Sequence, residues 1–429
     1  MLIEFSVGAF RSFKDVNTLS MLATRVSARD KRIDENNVFE ALDGISLLKS
    51  AAIYGANASG KSNLMRALSF MKRLVLTSSK DTQSAEPIKI ERFRLGSDVE
   101  DAPSFFEIAF IMEGTRYRYG FKANTQRIVS EWLYYVPTTK EAKLFTRDNG
   151  EIVVTKAFRE GRRLDDKTRE NALFLSVVAQ FNGKISQKIL DWFRNLKTIS
   201  GLNDEGYVMY TIECLQDAEM HDDIIRFVRH LDLGIDEISA EESRITPEQL
   251  PEDMPEELKT FILNPDVMHR PSIKTSHRKY NALGDIIGIE TFDLDEHESE
   301  GTAKLFALAG PVVDTLKNGR VLVVDELDAR LHPLITLAII SLFNSNETNK
   351  KNAQLIFTTH DTNLLSNKLF RRDQIWFTEK NSEGATDLYS LVEYKIKVRN
   401  DASFENDYIS GRYGAVPFLG DIRRLVETE

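Results

Sequence analysis

Gly55-Ala56-Asn57-Ala58-Ser59-Gly60-Lys61-Ser62 is the stretch that decides how this chain is read. It matches the pattern G-x-x-x-x-G-K-[ST] in full. Its surroundings agree. Leu48 to Tyr54 reads as a buried strand ending at a glycine, and Ser62 to Leu76 has helical spacing, with Leu64, Leu68, Met71 and Val75 on one face. Glycines let successive backbone N–H groups turn inward as an anion nest, and the helix N-terminus adds partial positive charge. Gly55, Asn57, Ser59 and Gly60 are therefore candidate phosphate-binding positions. Lys61 can reach the β- and γ-phosphates of a nucleoside triphosphate, and the Ser62 hydroxyl can coordinate Mg²⁺. A chance glycine turn before a helix does not account for the agreement of pattern and context.

Downstream, Val321-Leu322-Val323-Val324-Asp325-Glu326 is an apolar run closed by two carboxylates. A strand of a parallel sheet is buried, and its carboxyl end opens onto the ligand crevice. Asp325 is then placed to hold Mg²⁺ through water, and Glu326 to orient or deprotonate an attacking water. A core strand with a solvated acidic end is the alternative, and the upstream phosphate loop weighs against it. Two carboxylates suit hydrolysis better than binding alone. Leu355-Ile356-Phe357-Thr358-Thr359-His360-Asp361 sets a histidine past another apolar strand, which is expected to neighbour the acidic one. There His360 could sense a γ-phosphate. Between them, Glu298-Ser299-Glu300-Gly301-Thr302-Ala303-Lys304 opens an apolar helix, Leu305 to Leu316, with Ser299 suited to an N-cap.

The order of phosphate loop, Ser-x-Gly helix start, acidic strand and histidine resembles ABC-type ATPases of the SMC/RecF/OLD branch. That resemblance implies a P-loop NTPase core of ABC type binding ATP and Mg²⁺. It implies a signature role for Ser299 and Gly301, capping the γ-phosphate of ATP held by a second subunit. His360 would be the switch histidine and Asp328 the D-loop aspartate, with Glu326, His360 and Lys61 as catalytic residues. Phe10-Arg11-Ser12-Phe13-Lys14 looks like the family's Phe-x-Ser-Phe element, and Asn63 after the phosphate loop is another feature of the branch. Glu300 stands where many members have glycine, and Thr302 where they have Gln or Glu. The glutamine loop has only Gln83 as a candidate, by order alone. At the tail, Asn406-Asp407-Tyr408-Ile409-Ser410-Gly411-Arg412-Tyr413-Gly414-Ala415-Val416-Pro417 looks like the C-terminal signature of small bacterial ATPases of the RloA/AbiLi type from phage-defence loci. Phe106-Glu107-Ile108 and the Tyr117 to Phe121 strand look like that group too.

Away from these motifs, Ile88 to Tyr135 alternates in short runs and reads as an antiparallel meander turning at Glu113-Gly114. Asn171 to Phe181, Lys184 to Leu196 and Asp222 to Leu231 read as helices. Pro247, Pro251, Pro255 and Pro265 then interrupt an irregular connector, acidic at first and basic from His269 to Lys279. The expected organisation is an N-terminal ATPase lobe with a β-rich part (1–150), a helical insertion and connector (151–284), and a C-terminal ATPase lobe (285–429). Sustained heptads, internal repeats and low-complexity tracts are absent from the sequence.

The chain has 429 residues and a net charge of −10, so its overall charge does not advertise a polyanion partner. With Cys214 as its one cysteine it has no internal disulfide, which fits a cytoplasmic protein. The opening lacks signal-peptide character, and no apolar run approaches a membrane span of ~20 residues. About 70 residues follow His360, fewer than the roughly 100–150 of an added nuclease domain. The expected protein is an ATPase that works as a homodimer, or an oligomer of dimers, and controls an effector encoded beside it. Two other readings stay open: a DNA-repair or recombination ATPase that clamps DNA, using the basic stretch, and a transporter-associated ATPase needing a membrane partner.

Overall fold

A computed structural model of the chain describes residues 1–80, 83, 86–96, 102–201, 205–231, 234–244, 269–394 and 402–417. Two compact units are separable by their contacts. The first comprises Met1–Leu202, Thr315–Ala329 and Thr336–Glu429, and the second Asn203–Asp314 and Arg330–Ile335.

The first unit contains two large sheets. One has six strands in the spatial order Leu196–Ser200, Val321–Asp325, Gln354–Thr358, Ser50–Tyr54, Ile375–Lys380 and Thr386–Ser390. The first five run parallel, and the last joins antiparallel as a hairpin. Apart from Ser50–Tyr54, which inserts between Gln354–Thr358 and Ile375–Lys380, the strands stand in sequence order, and parallel neighbours need crossover connections. Central strands buried on both faces need continuous apolar runs. Ser50–Tyr54, Gln354–Thr358 and the first four residues of Val321–Asp325 are buried at every position. The expected adjacency of the acidic and histidine strands is present, with Val323 paired to Ile356 and Val324 to Phe357.

The other sheet is a seven-stranded antiparallel meander from Glu151–Val154 through Ser104–Met112 to Leu2–Gly8 and Asn17–Ser20. Its turn at Glu113-Gly114 places both residues at positive φ, 50° and 72°. The helix Lys61–Thr77 packs with both sheets in one apolar core. Leu64, Leu68, Met71 and Val75 meet Phe10, Phe106, Ile53 and Val323 there. Phe10 reaches Phe70 and Phe106 at ring distances of 5.6 and 5.2 Å. Helices Phe174–Gln180 and Lys184–Asn195 complete this core.

The second unit is built on helices Glu205–Gln216 and Ala218–His230, helix Glu300–Asn318 as far as Asp314, and a three-stranded antiparallel sheet. The sheet corrects the reading of a basic connector loop. His269–Tyr280 is its central strand, between Glu237–Arg244 and Ile286–Asp293. Three of its cations are partnered by carboxylates: Lys274 with Asp293 at 3.1 Å, Arg278 with Asp236 at 2.7 Å and Lys279 with Glu290 at 2.7 Å. His277 meets Glu298 at 2.7 Å. Pro247, Pro251, Pro255 and Pro265 lie outside the described residues. Among the described residues no helix is long and apolar enough to cross a membrane.

Candidate nucleotide site

The loop from Gly55 to Lys61 leaves the carboxyl end of a central strand and enters a 17-residue helix. Gly55 and Gly60 take φ of 156° and 120°, and Ala58 takes 62°. The two glycines are also required by space. A Cβ at Gly55 would stand 2.5 Å from the Thr378 carbonyl, and one at Gly60 only 2.3 Å from Thr386 Oγ1. Two threonines from the last hairpin hold the loop from behind. Thr378 Oγ1 meets Ser59 Oγ at 2.6 Å, and the Thr386 hydroxyl donates to the Ser59 carbonyl at 2.8 Å. The N-terminal Phe-x-Ser-Phe element joins them. Asn63 Nδ2 donates to Ser12 Oγ at 2.8 Å, and the Thr386 N–H donates to the Ser12 carbonyl at 2.7 Å.

Lys61 is 5% exposed, and its ammonium donates to the carbonyls of Gly55 (2.7 Å) and Ala56 (3.1 Å). Burial lowers its pKa to about 8, against the pull of the nearby Asp325, Glu326 and Asp328 carboxylates.

The acidic pair is fixed by the neighbouring strand. The Thr358 hydroxyl donates to Asp325 Oδ1 at 2.7 Å and accepts the Glu326 N–H at 2.7 Å. Glu326 sits at φ 55°, in the left-handed region that residues other than glycine seldom adopt. On the other side, Gly201 N–H donates to the Asp325 carbonyl at 2.6 Å. A Cβ at Gly201 would lie 2.3 Å from the carbonyls of both Asp325 and Glu326.

His360 is exposed at the end of the adjacent strand, and its backbone N–H donates to Asp328 Oδ2 at 3.3 Å. Partial burial, then the Lys61 charge, lowers its pKa below the usual 6.5, so the ring is neutral at pH 7.

Most of the candidate residues share one cavity of about 480 Å³, while Gly55, Asp325 and Asp328 are not among its lining residues. It is lined by Asn57, Ser59, Gly60, Lys61, Ser62, Asn63, Glu326 and His360 from the sequence reading, with Ala58, Arg66 and Lys380. Arg66 and Lys380 were not foreseen. Arg66 lies one helical turn past Ser62, a signal the sequence did carry, whereas Lys380 comes from a hairpin distant in sequence. Gln83 is exposed and does not line the cavity.

Ser299 and Gly301 belong to the second unit. Ser299 is exposed and caps its helix, accepting the Thr302 N–H at 3.1 Å. A Cβ at Gly301 would come within 3.1 Å of the Arg330 carbonyl.

The tail also differs from expectation. A tail of flexible glycines flanking an Arg-Tyr pair would suit a contact surface, but Tyr413 is fully buried. Its hydroxyl donates to Asp407 at 2.8 Å, and its carbonyl accepts from Tyr389 at 2.8 Å. Tyr408 stacks on Phe377 with ring centres 5.4 Å apart and reaches Tyr54 at 6.0 Å. A Cβ at Gly414 would meet Glu379 at 2.6 Å. Arg412 faces solvent, against Asp407 at 3.2 Å.

A parallel sheet whose central strand delivers a glycine-cradled lysine beside an acidic strand end defines a P-loop ATPase. Residues 50–366 match the family described as "AAA domain, putative AbiEii toxin, Type IV TA system", and the chain belongs to that family. No curated protein matches the chain. Among solved structures it is similar to the SMC head domain from Thermotoga maritima, at 14% identity over 92% of this chain and 99% of that one, with a TM-score of 0.39. It is also similar to the Smc head domain with a coiled coil and joint derived from Pyrococcus yayanosii, at 12% identity over 91% and 96% of the two chains, with a TM-score of 0.40.

Proposed function

We propose that the chain binds ATP with Mg²⁺ in the cavity around Lys61 and hydrolyses it as a dimer, and that this cycle controls a partner effector in anti-phage defence. The observation that carries the reading is the single cavity in which Lys61, Ser62, Glu326 and His360 meet.

The triphosphate would lie against the loop's N–H groups, with Lys61 moving from the Gly55 and Ala56 carbonyls to the β- and γ-phosphates. Glu326 would take the proton of the attacking water, and neutral His360 would donate an N–H to the γ-phosphate. The donor set fits Mg²⁺: one hydroxyl, Ser62, and the Asp325 carboxylate, whose Oδ1 alone is bonded to Thr358. Mg²⁺, when bound, neutralises phosphate charge. Ser299 and Gly301, exposed and half-buried, would cap the γ-phosphate on the other subunit, so that each subunit completes its partner's site. Closure and hydrolysis then couple nucleotide state to shape.

The carboxylate partners of Lys274, Arg278 and Lys279 speak for an effector-controlling ATPase over a DNA clamp that uses these three cations. The tail's likeness to RloA/AbiLi-type ATPases and the family's toxin–antitoxin description support a defence role.

Purified protein should release phosphate from ATP, and Lys61→Ala should bind no measurable ATP. Near-normal affinity in that variant would remove the loop from the account. Expression alone should leave growth intact, and expression with the neighbouring gene should give protection or toxicity. Growth arrest by the chain alone, dependent on its own active site, would make it the toxin and not the controller.

A further inference from the structure

Tyr54 is the last residue of the phosphate-loop strand, one position before Gly55. It is 1% exposed, its ring packed between Phe377 and Tyr408 at centroid distances of 6.3 and 6.0 Å. Its hydroxyl is buried with no hydrogen-bond partner among the described residues. Two carboxylate oxygens share that condition: Asp328 Oδ1 and Asp361 Oδ2. The second oxygen of each is engaged. Asp328 Oδ2 accepts from the His360 N–H, and Asp361 Oδ1 accepts from the Asn363 N–H at 3.0 Å and its Nδ2 at 2.7 Å. Both carboxylates, with Tyr408 and Glu405, add to burial in pushing the Tyr54 hydroxyl well above its ordinary range. Glu405 belongs to the tail helix Phe404–Ile409 and accepts from Thr362 Oγ1 at 3.4 Å.

Strand pairing sets this buried donor beside both loops: Thr358 pairs with Ile53 and the Thr359 N–H donates to the Ile53 carbonyl at 3.2 Å, so Tyr54 lies where the chain turns into His360 and Asp361, and the His360 N–H in turn holds Asp328. A buried polar group without a partner is uncommon and costly. A tyrosine hydroxyl carries one proton and serves one carboxylate at a time. Asp328 lies two residues past Glu326, and Asp361 directly follows His360. Lys61 supplies the link to nucleotide, because it holds the carbonyl of Gly55, the residue next to Tyr54.

We propose that Tyr54 is a positioning residue for hydrolysis, its hydroxyl exchanging between Asp328 and Asp361 and so setting the loop that carries Glu326 against the loop that carries His360. The inference rests on the reading that Glu326 and His360 act on ATP.

Tyr54→Phe in the full chain keeps the ring against Phe377 and Tyr408 and removes only the hydroxyl. Hydrogen exchange of the nucleotide-free protein tests the link without any turnover. Peptides over Glu326–Arg330 and His360–Asn363 should exchange about tenfold faster, with the helix Lys61–Thr77 unchanged. Equal exchange in both loops would overturn the proposal. Steady-state hydrolysis gives the second readout: kcat about tenfold lower with KM within about twofold. Adding Tyr54→Phe to Asp328→Asn should lower kcat no further, since the two changes remove one interaction. Unchanged kcat, a rise in KM alone, or additive losses would count against Tyr54. Glu326→Gln is assayed beside these variants. If it keeps full turnover, the functional reading falls, and the exchange measurement still decides the case of Tyr54.

Discussion

In the proposed function nucleotide affinity turns on Lys61, and the environment of that residue would make the affinity depend on pH. Its pKa of about 8 in the free protein lies below the ordinary 10.5 because burial disfavours the ammonium. Triphosphate binding requires the ammonium, so below pH 8 the site is ready. Above pH 8 binding must take up a proton. The apparent Kd for ATP should therefore be flat from pH 6.5 to 7.5 and rise about tenfold from pH 7 to 9. Calorimetry at pH 8.5 in buffers of different ionisation enthalpy should detect that proton uptake. His360 sets no acidic limit until the pH falls below its lowered pKa, where the ring gains a charge beside Lys61. The phosphate loop, the acidic pair and the histidine were legible in the sequence because each lies within a short contiguous run. Ser12, Gly201, Thr358, Thr378 and Thr386 fix that chemistry in place by contacts across 30 to more than 370 residues of chain. No local pattern carries such contacts, although the Phe-x-Ser-Phe likeness did point to Ser12.

Among the elements, the acidic strand end depends on its neighbours. Gly201 permits the backbone of Asp325 and Glu326 to pass at a distance that a methyl group would forbid. Gly201→Ala should destabilise the protein by about 1–3 kcal/mol, the usual cost of forcing an extra carbon into a packed site. ATP hydrolysis should fall with it, while nucleotide binding at the more distant loop is retained. Thermal unfolding and phosphate release check both, and a fully active, equally stable variant would contradict the geometry. The tail helix and the turn after it support the phosphate-loop strand from behind, through Tyr408, Phe377 and Tyr54. Tyr413→Ala should cost about 3–5 kcal/mol, as loss of a buried aromatic does. Arg412→Ala faces solvent and should leave basal hydrolysis within about threefold. If Arg412 is the tail's contact to the effector, protection or toxicity is lost in that variant when the neighbouring gene is present. The sequence pattern marked this tail as special but could not separate packing from docking, because both use aromatic and glycine residues. The three-stranded sheet of the second unit was missed for another reason. Its strands are rich in charge, and Lys274 and Lys279 find their carboxylate partners only once the strands are paired.

For the whole molecule, the proposal is that two chains share each nucleotide. Ser299→Arg should then leave ATP binding by the single chain intact while abolishing ATP-driven pairing and hydrolysis. Loss of binding would place the Ser-x-Gly element in its own chain's site. The most direct test of the account uses Glu326→Gln, which is nearly isosteric but cannot take a proton from water. Its mass by sedimentation is measured with and without MgATP, with the bound nucleotide identified at the end. The account predicts that ATP stays intact and that the variant shifts to twice its starting mass, the chain itself being 48.9 kDa. Conversion of the bound ATP to ADP at the wild-type rate, or retention of ATP with no change in mass, would contradict it.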